Sequence, residues 1–103
     1  MSIMDAPRSG KAAAALLALA LVLASCASVP YQEMSDARQA IDSARPVVSD
    51  EVGPRELVER AQALLNEAEA HLRAHEYDAA RATAERAKAL AIEAREKAEK
   101  ADQ

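Results

Sequence analysis

Residues 54–101 read PRELVERAQALLNEAEAHLRAHEYDAARATAERAKALAIEAREKAEKA, a stretch with no glycine and no proline after its first residue. Without those breakers, the backbone meets no strong obstacle to a helix. Within the stretch, Tyr77, Ala80, Ala84, Ala87, Ala91, Ala94, Ala98 and Ala101 recur at alternating steps of three and four. That spacing is the heptad seam of a helix packed along another helix. Because nearly every seam residue is alanine, two backbones can approach closely, but each layer buries little apolar area. The bulk comes from upstream, where Leu57, Val58, Ala61, Leu64, Leu65, Ala68 and Leu72 form a second stripe, with Leu57, Ala61, Leu64 and Ala68 as its seam.

One long rod and two shorter helices predict different registers. Carrying the rhythm Leu57, Ala61, Leu64, Ala68, His71, His75 forward lands on Asp78, Ala82, Glu85 and Ala89, which are partly charged and miss the alanine seam. The phase slips near His75. A turn over residues 74–76 restores it and folds the stretch into an antiparallel hairpin, which we prefer to a coiled coil that absorbs the slip locally.

Upstream, Met34, Ala37, Ile41 and Ala44 place one apolar stripe on a shorter helix. Arg45 precedes Pro46, which disfavours helix, so PVVSDEVG over residues 46–53 reads as a linker. The next helix then has Pro54 in its first turn and Glu56 beside the positive end of its dipole. The expected fold is all-α: a short N-terminal helix plus an antiparallel α-hairpin, a small three-helix arrangement following a signal peptide. Helices are expected at about 33–45, 54–74 and 76–101, within a helical domain over 33–103.

The first quarter of the chain is a different object. Residues 1–11 are short, polar and basic, and residues 12–24 (AAAALLALALVLA) are uncharged and apolar, the layout of a secretory signal peptide. The apolar run is too short to span a bilayer comfortably. It ends in Leu23-Ala24-Ser25-Cys26, which resembles the lipobox of bacterial lipoproteins. That resemblance implies cleavage before Cys26, with Leu23, Ala24 and Ser25 as the signal-peptidase recognition residues. It also implies a diacylglycerol thioether on the thiol and an N-acyl chain on the new amine. Small residues let the chain enter the peptidase extended, and only a thiol makes a thioether. The layout as a whole favours this reading over an ordinary signal peptide cut near Ala27, an uncleaved anchor or a buried inert cysteine. The division is then a leader over 1–25, a lipidated tether over 26–32 and the helical domain.

Each buried methylene contributes about 0.8 kcal/mol, so two or three acyl chains hold a protein firmly on a membrane. Ala27 follows the cysteine where the resemblance would place an aspartate for inner-membrane retention, which points to the outer membrane, lipid-anchored and facing the periplasm.

The net charge of -4 divides unevenly: residues 1–25 hold Arg8 and Lys11 against Asp5, a net +1, which leaves -5 on the body. Cations and anions alternate along the helices, unlike the basic patch that phosphate neutralisation requires, so no nucleic-acid partner is expected. One cysteine forms no internal disulfide. Glu67, His71 and His75 are spaced to line one helix face, but they lack a fourth ligand and stand near a turn, so no metal is expected there. Tyr77 reads as a packing wedge. Ser35, Ser43, Ser49 and Thr83 have no suggestive base partner, and the carboxylates sit on straight solvated helices, so no catalytic residue is assigned and no enzyme is expected. Glu56 with Arg60, Glu69 with Arg73, Glu93 with Lys97 and Glu96 with Lys100 have ion-pair spacing on exposed faces.

Three blocks carry a wider resemblance: Met34-Ser35-Asp36-Ala37-Arg38-Gln39-Ala40-Ile41; Pro54 with Glu56-Leu57, then Ala61, Leu64 and Ala68; and Glu76-Tyr77-Asp78-Ala79-Ala80-Arg81, then Ala84 and Ala87. In this order after a lipobox, they resemble the helical bacterial lipoproteins catalogued as domain of unknown function 4398. The last block also resembles the second helix of a tetratricopeptide repeat, although one hairpin is not a repeat array. The resemblance implies no activity. The expected role is a non-catalytic envelope protein that presents its hairpin to a periplasmic protein, or that self-associates. The alternatives are a tetratricopeptide-like peptide binder and a coiled-coil spacer touching peptidoglycan. The ending Lys100-Ala101-Asp102-Gln103 lacks the terminal lysine used for covalent wall attachment by the spacer lipoprotein it would resemble, which leaves non-covalent contact.

Overall fold

The computed structural model describes residues 28–48 and 52–101; the expected leader over 1–25 and the expected lipobox with Cys26 lie outside them. The chain forms α1 (Tyr31–Ala44), a 3-10 turn (Arg45–Val47), α2 (Val52–Arg73) and α3 (Tyr77–Ala101), with no strand among the described residues. The protein is all-α, with α2 and α3 as a hairpin and α1 laid along it.

Helix α1 starts two residues before the expected position, so Tyr31 and Gln32 belong to the helix rather than to the tether. Pro30 is the cause. Its carbonyl accepts the first helical bond from the Met34 N–H at 3.1 Å, and its ring is fully buried. Proline loses nothing at a helix start, where its missing N–H would have no partner.

The expected linker is shorter at both ends. Arg45 keeps helical dihedrals (φ -51, ψ -48) and donates its N–H to the Ile41 carbonyl, so the chain tightens into a 3-10 turn and does not break before Pro46. Helix α2 begins at Val52, and Pro54 is its third residue. The first four N–H groups of a helix have no carbonyl to serve, so proline costs no hydrogen bond there. Val48, in the connection itself, is buried and closes that end of the core.

Ion pairs and hydrogen bonds define the topology. Arg38 reaches Glu69 at 3.1 Å, and Arg45 donates to Gln62 at 2.6 Å. Rising numbers on α1 meet falling numbers on α2, so these helices are antiparallel. Glu33 meets Arg81 at 3.3 Å and Asp36 meets Lys88 at 3.9 Å, so α1 runs parallel to α3. The result is an up-down-up three-helix bundle.

The core combines Met34, Ala37, Ile41 and Ala44 of α1 with Val58, Ala61, Leu65 and Ala68 of α2 and Ala84, Ala87, Ala91, Ala94 and Ala98 of α3. Ala80 and Thr83 are buried alongside. The alanine face of α3 serves both neighbours, leaving the larger side chains to come from α1 and α2. Two α2 seam positions need correction. Leu57 and Leu64 are only partly buried at the edge of the core, and Val58 and Leu65 occupy the buried positions. A two-helix seam is narrow, but α2 faces both α1 and α3, so its apolar arc widens to two adjacent rows.

Candidate functional site

The residues with the densest polar contacts gather at one end of the bundle, where α1 starts, α2 ends and α3 starts. The α2–α3 turn is built by the backbone. The Glu76 N–H donates to the His71 carbonyl at 2.9 Å and the His75 N–H to the Leu72 carbonyl at 3.0 Å, the paired bonds of a Schellman ending. His75 holds the left-handed position at φ 61, where glycine is the usual occupant. This explains how a stretch without glycine still turns. The His75 ring meets Tyr77 edge-on, with centroids 5.9 Å apart and the Tyr77 hydroxyl 2.9 Å from Nδ1. Tyr77 is half-buried at the head of α3 and braces the turn.

The spacing of Glu67, His71 and His75 does not bring them to one point. Glu67 faces His71 Nε2 at 3.6 Å, but His75 has left the helix and turned to Tyr77. The Glu76 carboxylate stands instead 3.3 Å from His71 Nδ1, on the opposite edge of the ring from Glu67. His71 therefore ties the last turn of α2 to the start of α3.

Arg81 is the centre of this end. Its Nη2 donates to the Ser28 carbonyl at 2.8 Å and to the Ser28 Oγ at 3.2 Å. Its Nε donates to Glu33 at 3.3 Å and its Nη1 to Asp78 at 3.3 Å. One guanidinium thus joins the segment before α1, the first turn of α1 and the first turn of α3. The planar fork of five donors suits arginine to this position. Arg81 and Glu33 are both about 30% exposed, in side-chain terms 28% and 31%, so the pair is partly shielded from water.

Sequence reasoning reached Arg81 only as part of the Glu76–Arg81 block, with no role for its side chain. The available signal was its place beside the buried Ala80, a cation flanking the seam one turn after Tyr77. The seam residues Ala61, Ala68, Ala80, Ala84, Ala87 and Ala91 are all buried. Leu23, Ala24, Ser25 and Cys26 lie outside the described residues.

Chemically, these contacts are structural ties. The Ser28 hydroxyl oxygen accepts from a cation, and the Ser35 hydroxyl oxygen accepts from Gln39 Nε2 at 3.4 Å. A solvent-open cleft of about 260 Å³ runs between α1 and α3, bordered by Asp36, Gln39, Ser43, Lys88, Ile92 and Arg95. Ile92 is 42% exposed on its rim. The alanine-rich side of the hairpin itself is occupied by α1. Comparison with family models, curated proteins and solved structures finds no match to this chain.

Proposed function

We propose that this protein is a non-catalytic lipoprotein of the bacterial cell envelope, acylated at Cys26 and presenting a small helical bundle to a periplasmic partner. The observation that carries this reading is the placement of Leu23-Ala24-Ser25-Cys26 at the end of a basic, then apolar leader. Only a thiol becomes a thioether, and this chain has one cysteine, standing at that junction. The helical body starts at once after it, with Ser28 already tied to α3.

Ala27 after the cysteine supports the inner leaflet of the outer membrane as the location. The resemblance to the helical lipoproteins of domain of unknown function 4398 agrees with the reading and adds no activity to it. The exposed faces of the bundle, carrying mixed charges along α3 and the open α1–α3 cleft, are the surface offered to a partner. A periplasmic protein is the partner we favour over self-association or peptidoglycan, because the cleft joins an apolar rim residue, Ile92, to paired polar side chains.

Mass spectrometry of protein extracted from membranes tests the anchor. The expected product begins at Cys26 and carries a diacylglycerol and an N-acyl chain; an unmodified Cys26, or a Cys26→Ser form that stays on the membrane, would overturn it. Cross-linking in intact cells tests the partner, with a discrete protein adduct expected and self-adducts alone counting against it.

A further inference from the structure

The chain has only two aromatic side chains, Tyr31 and Tyr77. Each is the first residue of its helix, α1 and α3 respectively. Because α1 and α3 run parallel, both tyrosines stand at the same end of the bundle. Arg81 secures Ser28 to that end. Cys26 is two residues before Ser28, and two extended residues reach at most about 7 Å. Whatever lipid Cys26 carries is therefore attached beside the two tyrosines and the α2–α3 turn.

We infer that this end of the bundle, residues 28–31 with the α2–α3 turn, is seated on the phospholipid headgroup surface, and that α3 runs away from the membrane. The inference rests on the lipid-anchor reading above. The tether between Ser28 and the acylated residue is too short to hold the bundle clear of the surface. Tyr31 is 70% exposed, and tyrosine is favoured at the headgroup level, where its ring meets an apolar boundary and its hydroxyl meets water. The charges around the turn are mixed, with Arg73 and Arg81 beside Glu33, Glu76 and Asp78, so an anionic surface meets an excess of a single negative charge, with Arg81 already paired to Glu33 and Asp78. Helix α3, 25 residues long, then rises about 37 Å from the surface. Its C-terminal turns, with the α1–α2 connection, become the end farthest from the membrane, and the α1–α3 cleft stands between the two ends. Val47 and Val52, exposed at 36% and 60%, flank that connection.

Two variants of the full-length protein, Ala74→Cys at the turn and Lys100→Cys near the far end, read the orientation. Both sites are exposed. Each is purified in its lipidated form, labelled with a nitroxide and placed in phosphatidylethanolamine and phosphatidylglycerol vesicles carrying a gadolinium chelate on some headgroups. Strong relaxation of the label at 74 and weak relaxation at 100 are expected, matching a height difference of about 35 Å along α3. Equal relaxation at the two positions, with the lipid on Cys26 verified by mass spectrometry, overturns the orientation and leaves the anchor standing. A second label on Cys26 reveals a free thiol and overturns both. In Arg81→Ala the two heights converge as the tie to Ser28 is lost; an unchanged difference overturns the part given to Arg81.

Discussion

The guanidinium of Arg81 lies 2.8 Å from the backbone carbonyl of Ser28, fifty-three residues earlier in the chain. The contact joins the segment before α1 to the third helix, and so couples the start of the described chain to the hairpin. It is also the clearest case here of a side chain whose role comes from tertiary placement.

Replacing Arg81 with alanine leaves the Ser28 carbonyl and the Glu33 carboxylate to water. Hydrogen bonds from a charged donor contribute about 1.5–3 kcal/mol each when shielded, and partial exposure reduces that. A loss of about 1–2 kcal/mol in urea unfolding is expected, together with faster amide exchange at Tyr31 and Met34. Normal protection at those amides would show that Ser28 is held by other means.

His75 carries the left-handed turn without being glycine. For an L-residue that conformation costs roughly 1–2 kcal/mol, part of which its contact with Tyr77 offsets. His75→Gly is expected to raise stability by about 0.5–1 kcal/mol, and His75→Val to lower it by more than 1 kcal/mol. A pair of thermal melts decides the matter: a stable valine variant would argue against a strained turn at this position.

The buried alanines of α3 leave no room for larger side chains. Ala87→Leu is expected to cost about 1–3 kcal/mol, the usual penalty for overfilling a close-packed interior. Ala82→Leu and Ala89→Leu, on the exposed side, are expected to change stability by less than about 0.5 kcal/mol. A continuous rod would place Ala82 and Ala89 on its seam, so the opposite ranking in denaturant titrations would restore the rod.

Ile41 is the largest buried apolar side chain of α1 and holds that helix against the hairpin. Ile41→Ala is expected to cost about 2–4 kcal/mol. In so small a bundle, that loss removes most of the margin. Far-UV circular dichroism in the absence of denaturant should show reduced helix at 37 °C, and retention of full helicity would mean that the hairpin does not depend on α1.

Much of this fold was legible along the chain. The step of three and four through Met34, Ala37, Ile41 and Ala44, and the alanine rhythm from Ala80 to Ala98, mark the faces that are buried. The phase slip near His75 marks the turn. Salt bridges were less legible: Glu93 meets Lys97 at 3.1 Å as its spacing suggests, but Glu69 turns from Arg73 to Arg38 on α1. A carboxylate with one cation on its own helix and another on a neighbour cannot be assigned until the neighbour is placed.

The sequence by itself determined the three helices, their apolar stripes and the turn between α2 and α3, because each is a local pattern whose physics is complete within a few turns of chain. Only the tertiary structure decided that α1 lies parallel to α3, that Val58 and Leu65 are buried in place of Leu57 and Leu64, and that Arg81 holds Ser28. Those outcomes depend on how each helix is rotated and which neighbours share its face, quantities set when three helices compete to cover one alanine-lined core.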